Sequence, residues 1–317
     1  MKRRTFLIGL GLSLAGAYGS LAQQQRVWRV AYLSSGRIDR QIEVFRKRMG
    51  ELGYVEGNNL RIETRSADGD YRRLPTLANE LVNLDPDVIV AEATPAIAAV
   101  QKLTSKIPIV MATVTDPIGS GFAKSFSHPG GNLTGSAPMF GDLAAKSFDI
   151  LHLVLPNARK VAILMSSNPT HARMLESANS GAQTMGLTTV SFMARSPDDL
   201  ERIFAEIADA KCDALYVLAD PMRPRIPDLA AATHIPAIYQ YSRYVELGGF
   251  MSYGPDVVGV IAHSADFVDR IFKGANPANL PLEQPTKFEF AVNLRTAKSL
   301  GLTVPESVLL LADKVIE

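Results

Sequence analysis

The sequence predicts an α/β protein of two Rossmann-like, doubly wound lobes with a ligand cleft between them. Three observations carry that expectation. Short apolar runs alternate with helical patterns along the chain. Three of those runs return in the same order about 130 residues later. The 317 residues also amount to roughly two domains of ~150 residues each.

Composition narrows the function classes. An apolar share of 47% beside 21% charged residues indicates a folded core and excludes a disordered chain. The balance of 33 Lys+Arg against 32 Asp+Glu leaves no basic footprint for a nucleic acid, so none is expected as a partner. A single cysteine, Cys212, excludes both an intrachain disulfide and a thiolate zinc cluster.

Residues 1–22 read as a cleaved export signal. Lys2, Arg3 and Arg4 precede an apolar or small run from Thr5 to Tyr18, and Ser20-Leu21-Ala22 gives the small-x-small exit that signal peptidase favours. That run contains Gly9, Gly11 and Gly16 and falls short of the ~20 apolar residues a membrane span needs. Arg3-Arg4-Thr5-Phe6-Leu7 also resembles a twin-arginine motif, so two export routes stand open. No cysteine at the cleavage point is available to take a lipid. The expected product is a monomer in a bacterial periplasm, without a membrane anchor after cleavage. Its charge shifts as well. With three of the 33 basic residues gone, 30 face 32 acidic ones, a balance of −2 in place of +1.

The elements follow in order. Val27 to Leu33 is a β-rich run, and Arg37 to Leu52 has helical spacing through Ile38, Ile42, Phe45 and Met49 until Gly53 stops it. Leu60 to Thr64 alternates as a strand, and Tyr71 to Leu84 reads as a helix. Asp87 to Ala91 is an apolar strand, Pro95 to Leu103 a helix opened by proline, and Ile107 to Met111 the next apolar strand. Such spacing indicates βαβ units and a parallel sheet covered on both faces. The pattern then repeats. The run from Arg29 returns at Lys160, that from Asp87 at Asp213 and that from Ile107 at Ile235, at offsets of 131, 126 and 128 residues. Gly130-Gly131 to Pro138, Gly248-Gly249 with Gly254-Pro255, and Pro277 to Pro285 punctuate the chain where crossings between lobes are expected, although ordinary loops use the same residues. The expected division is 27–137 plus 255–285 for the first lobe and 138–254 plus 286–317 for the second.

In open α/β sheets, ligands gather beyond the carboxyl ends of the strands. Just past the apolar runs stand Ser34, Ser35 and Gly36, then Ala93 and Thr94, Thr115 and Asp116, Ser166, Ser167 and Asn168, and Asp220. These short polar groups suit a small polar ligand, and singly they suit helix capping equally well. Tyr239 and Tyr253, in a group with Tyr241 and Tyr244, either stack on a ligand or belong to the core between lobes. Arg223, Arg225 and Arg243 offer a contact for a ligand carboxylate or simply a charged surface. No P-loop, dinucleotide fingerprint, nucleophile elbow or HExxH pattern occurs. The five histidines have no metal-ligand spacing and are expected to be exposed or capping. Catalytic residues, cofactors and metals are therefore not expected.

The C-terminal stretch from Ile271-Phe272-Lys273-Gly274 through Leu280-Pro281-Leu282-Glu283-Gln284-Pro285-Thr286-Lys287-Phe288-Glu289-Phe290, with Asn293-Leu294-Arg295-Thr296-Ala297, resembles a family signature. Asp116-Pro117, Gly131-Asn132-Leu133-Thr134-Gly135 and Gly248-Gly249-Phe250-Met251-Ser252-Tyr253-Gly254 belong to the same resemblance. The family is that of ABC transporter substrate-binding proteins of the tryptophan/tyrosine-binding type. One departure is Leu309-Leu310-Leu311-Ala312-Asp313, where the family more often has an arginine before the Ala-Asp pair. The resemblance implies a type I periplasmic binding fold, capture of a small solute such as an amino acid by lobe closure, and delivery to an inner-membrane ABC permease with its ATPase. An amino-acid ligand would set its ammonium near Asp116 or Asp220. An exported enzyme or a sensory binding protein on the same scaffold is the alternative.

Overall fold

A computed structural model describes residues 26–138, 140, 143–220 and 224–317. The expected export signal and Arg223 lie outside the described residues.

The first sheet grows from the apolar runs. It contains β1 (Trp28–Ser34), β2 (Leu60–Ser66), β3 (Val88–Glu92), β4 (Ile109–Ala112) and β5 (Leu133–Gly135), in the order β2-β1-β3-β4-β5. Every pairing is parallel. All five residues of β3 are buried because helices cover both faces. α2 (Leu74–Val82) and α3 (Thr94–Gln101) close one face. α1 (Asp39–Glu51) closes the other, burying Ile42, Phe45 and Met49 as the spacing predicts. The helix expected from Tyr71 instead opens as a 3-10 turn over Tyr71–Arg73, and α2 starts with Pro75 in its first turn. Proline has no N–H to give and is tolerated at that position.

The second sheet repeats the plan. α4 (Leu143–Val154) leads into β6 (Lys160–Ser166), α5 (His171–Thr184), β7 (Thr188–Ala194), α6 (Leu200–Asp209), β8 (Ala214–Val217), α7 (Ile226–Ala232), β9 (Ala237–Tyr239), α8 (Ser242–Glu246) and β10 (Met251–Pro255). The order β7-β6-β8-β9-β10 matches that of the first sheet strand for strand. Even a local contact recurs. Asp87 accepts the N–H of Arg29 at 2.8 Å, and Asp213 accepts those of Arg159 and Lys160 at 2.8 and 2.9 Å.

The chain then returns to the first sheet. α9 (Val257–Phe272) sets Ile261, Ala265, Phe267 and Val268 against Val30, Tyr32, Val88 and Val90, beside α1. β11 (Phe288–Asn293) rejoins the second sheet antiparallel to β10, and α10 (Leu294–Ser299), α11 (Glu306–Leu309) and β12 (Lys314–Ile316) complete it. The backbone thus passes between the sheets three times.

Candidate functional site

The carboxyl ends of the two sheets face each other across a cavity of about 200 Å3. The first sheet's side supplies Arg37, Arg40 and Gln41 from the start of α1, Glu92 and Ala93 from the end of β3, and Thr113 just past β4. Val257, Val258 and Ile261 of α9 add an apolar wall. From the opposite side come Tyr241, Ser242 and Arg243, with Leu247. Ala93 and Thr113 both hold a positive φ, 69° and 59°, without being glycine. Strained backbone at two neighbouring strand ends, both lining one cavity, is the kind of feature that persists at ligand sites.

Glu92 is the chemical centre of this cavity. Its side chain is buried, and its Oε2 accepts the Ser34 hydroxyl at 2.8 Å. Ser34 Oγ in turn takes the N–H of Gly36 at 3.1 Å, while Ser35 donates to the backbone oxygen of Glu92 and accepts from the N–H of Ala96. Burial pushes the Glu92 carboxyl up to about 7, against the opposing pull of hydrogen bonds from Ser34 and Gln41. Burial also raises the phenols of Tyr32 and Tyr241 well above the ordinary tyrosine range, and the charge of Glu92 adds to both. The Tyr32 hydroxyl is buried without a hydrogen-bond partner.

Among the described residues, three polar contacts tie the two sides together around the cavity. Arg40 of α1 meets Glu246 of α8 at 2.5 Å, Arg173 of α5 meets Asp116 at 2.5 Å, and the Tyr71 hydroxyl donates to Asp220 at 2.9 Å. Burial alone would raise Glu246, yet Lys314, Arg243 and Arg40 outweigh it and hold its carboxyl at about 2.

The residues expected from sequence divide into groups. Ser34, Ser35, Gly36 and Ala93 stand in or directly behind the cavity wall. Thr94 opens α3, buried, with no partner for its hydroxyl. Asp116 closes a turn by accepting the Gly119 N–H at 2.8 Å, just after half-buried Thr115, and its other oxygen holds Arg173. Ser166 and Asn168 shape the turn before α5, whose N-cap Thr170 makes no side-chain cap bond, so the capping alternative does not describe them either. Ser166 Oγ takes the Asn168 N–H, and Asn168 Oδ1 takes the Thr170 N–H and hydroxyl, while Ser167 is exposed. Neither Asp116 nor Asp220, beside which a ligand ammonium was expected, lines the cavity, and both already accept donors.

Three expectations need correcting. Tyr239 is fully buried and stacked on Tyr244 at 4.9 Å, because strand alternation points Ala237 and Tyr239 to the face under α6 and α7. Tyr253 lies against Phe288 at 6.1 Å in the other core of that sheet. His171 is neither exposed nor a helix cap. Its Nδ1 accepts the Ser166 N–H at 2.8 Å, which leaves Nε2 to donate to the Ala219 carbonyl at 2.9 Å, tying β6 to the end of β8. Of the arginine group, Arg243 lines the cavity, whereas Arg225 pairs with Glu201 at the surface.

Glu92, Gln41, Thr113 and the α9 wall were not among the expected site residues. For Glu92 a signal was present, since a carboxylate ends an otherwise apolar parallel strand, Val88-Ile89-Val90-Ala91-Glu92.

Two α/β lobes of one strand order, enclosing a solute-sized cavity at their facing strand ends, define a small-solute binding protein of the type I periplasmic fold. The chain belongs to the family described as ABC transporter substrate binding protein, matching it over residues 30–316. It is 24% identical over 270 residues to the tyrosine-binding protein of Clostridioides difficile strain R20291, covering 84% of this chain and 77% of that one. The solved ABC domain of Streptococcus pneumoniae in complex with L-Trp is 26% identical, with a TM-score of 0.84, over 92% of this chain and all of that one (100%). A leucine-binding protein of Thermotoga maritima, 13% identical with a TM-score of 0.58 over 78% of this chain and 83% of that one, shares the fold. The family consists of binding proteins, not enzymes. Among the described residues no helix is long and apolar enough to cross a membrane.

Proposed function

We propose that this protein is the extracytoplasmic carrier of an ABC importer and captures a single amino acid, aromatic or of similar size, between its lobes. The observation that carries the reading is the cavity at the facing strand ends, lined from both sides by Glu92, Arg40, Arg243 and Tyr241. A carboxyl and guanidinium groups at one hollow suit the two charged ends of an amino acid, while Tyr241 and the Val257–Ile261 wall suit an apolar side chain. The tyrosine-binding relative and the L-Trp complex support the same ligand class. On this reading residues 27–137 with 255–285 form one lobe and 138–254 with 286–317 the other. They close about the three crossing segments, and a ligand touching both lobes favours the closed form. The signal over residues 1–22 directs the monomer to the periplasm, where it delivers its solute to a membrane permease driven by a separate ATPase.

Thermal unfolding of the purified protein, stripped of solute by dialysis, tests this against L-tyrosine, L-tryptophan and a panel of small solutes. A ligand at 100 times its Kd stabilises the native state by about 2.7 kcal/mol. At least one amino acid is expected to raise the midpoint. No shift with any amino acid would sink the amino-acid reading.

A further inference from the structure

Glu92 presents a problem that the fold does not solve. A buried carboxyl is kept when a cation or several hydrogen bonds compensate it. Ser34 and Gln41 bond to it, yet among the described residues no Lys, Arg or His pairs with it. The cations of the same cavity are engaged elsewhere, Arg37 with Asp39 at 2.8 Å and both Arg40 and Arg243 with Glu246. From β1, Tyr32 adds a hydroxyl without a partner, and from the second lobe Tyr241 faces the same region, with Asp220 beyond it. Glu92 and Asp220 both bear on Tyr241 as acidic groups, and among the described residues no cation is bonded to the Glu92 carboxyl, although three arginines line the same cavity.

We propose that Glu92 receives the ligand's ammonium group and that binding releases a proton from this carboxyl to solvent. The idea rests on the reading of the cavity as an amino-acid site and adds which residue selects for the amine. In the empty protein burial holds a proton on the carboxyl up to about pH 7. An arriving ammonium supplies the missing charge, the O–H proton leaves, and a carboxylate–ammonium pair remains, so atoms and charge balance. Ser34 Oγ, held by its bond from the Gly36 N–H, keeps the acceptor oxygen in place.

The test is calorimetry at pH 7 in two buffers of different ionisation enthalpy, on wild type and Glu92→Gln. Six probes are compared: L-tyrosine, L-tryptophan, the decarboxylated amines tyramine and tryptamine, and the des-amino acids 3-(4-hydroxyphenyl)propionate and indole-3-propionate. Wild type is expected to bind the amino acids about 100-fold or more tightly than the des-amino acids, because the latter leave the carboxyl unpaired. It is also expected to release about half a proton per ligand, the fraction protonated when pH equals pKa. Glu92→Gln should lose roughly 100-fold for the amino acids, little for the des-amino acids, and all of the proton release. Binding of amines without amino acids would overturn the amino-acid reading and leave Glu92 as the amine site. Equal binding of des-amino acids, an indifferent Glu92→Gln variant, or no binding by any amine-bearing probe would overturn the assignment of Glu92.

Discussion

Glu92 ends a strand whose other four residues are apolar, and that single position sets much of the cavity's behaviour. Its carboxyl holds a proton to about pH 7, against 4.5 for an unperturbed glutamate. Between those values the native state binds more protons than the unfolded chain, so stability falls as pH rises through this window and levels off above it. At 1.36 kcal/mol per unit the change is on the order of 3 kcal/mol. Glu92→Gln keeps the shape and hydrogen bonding and has nothing to titrate. Urea unfolding of stripped protein at pH 5 and pH 8 should therefore show the variant gaining on wild type by about that amount at the higher pH. A difference independent of pH would contradict the burial argument. Residues on either side of Glu92 show what sequence could and could not convey. Ser34 and Ser35 were readable as groups at a strand end, because the apolar run before them fixes where the strand stops. Tyr239 stayed open between ligand stacking and core because alternation along a three-residue strand decides its face, and neighbouring tyrosines at positions 241 and 244 gave no way to choose. Asp116 and Asp220 sit at strand ends as expected, yet their partners Arg173 and Tyr71 lie 57 and 149 residues away in the chain.

At the level of elements, the glycines act through close approach. Gly254 lies in β10, where a Cβ would stand 1.9 Å from the carbonyl oxygen of Gln240. Gly135 ends β5 with φ at 134°, where a Cβ would come within 2.2 Å of the Met111 carbonyl oxygen. Both sit beside crossings between the sheets, and the sequence marked them as turns or hinges. Only their packing reveals that backbone contact is what excludes a side chain. Gly254→Ala is expected to destabilise the protein by at least about 3 kcal/mol in chemical unfolding, since both clashing partners are backbone and overpacking has no flexible group to displace. A loss below about 1 kcal/mol would show that the strand shifts freely. β3, β4, β8 and β9 were legible because each is a short apolar run preceded by Asp or Pro, at Asp87, Pro108, Asp213 and Pro236. α9 falls within 255–285, the stretch expected in the first lobe from the crossing pattern; its own apolar spacing gives a buried face and does not say which sheet that face covers.

For the whole molecule, the duplicated strand order is the feature the sequence conveyed best, since three runs at nearly one offset map onto β1 and β6, β3 and β8, and β4 and β9. Duplication places two sets of strand ends opposite each other and leaves the cavity between them. Among the described residues the polar ties across that gap are few. Arg40–Glu246, Arg173–Asp116 and Tyr71–Asp220 are partly exposed contacts of the kind that contribute about 1 kcal/mol or less each. On the proposed reading, such ties are weak enough for a ligand bridging both lobes to decide between open and closed forms. Small-angle scattering of the stripped protein, before and after saturation with L-tyrosine or L-tryptophan, measures that choice directly. Capture by closure predicts a smaller radius of gyration once the ligand is bound. An unchanged radius at saturating concentrations of both amino acids would contradict it.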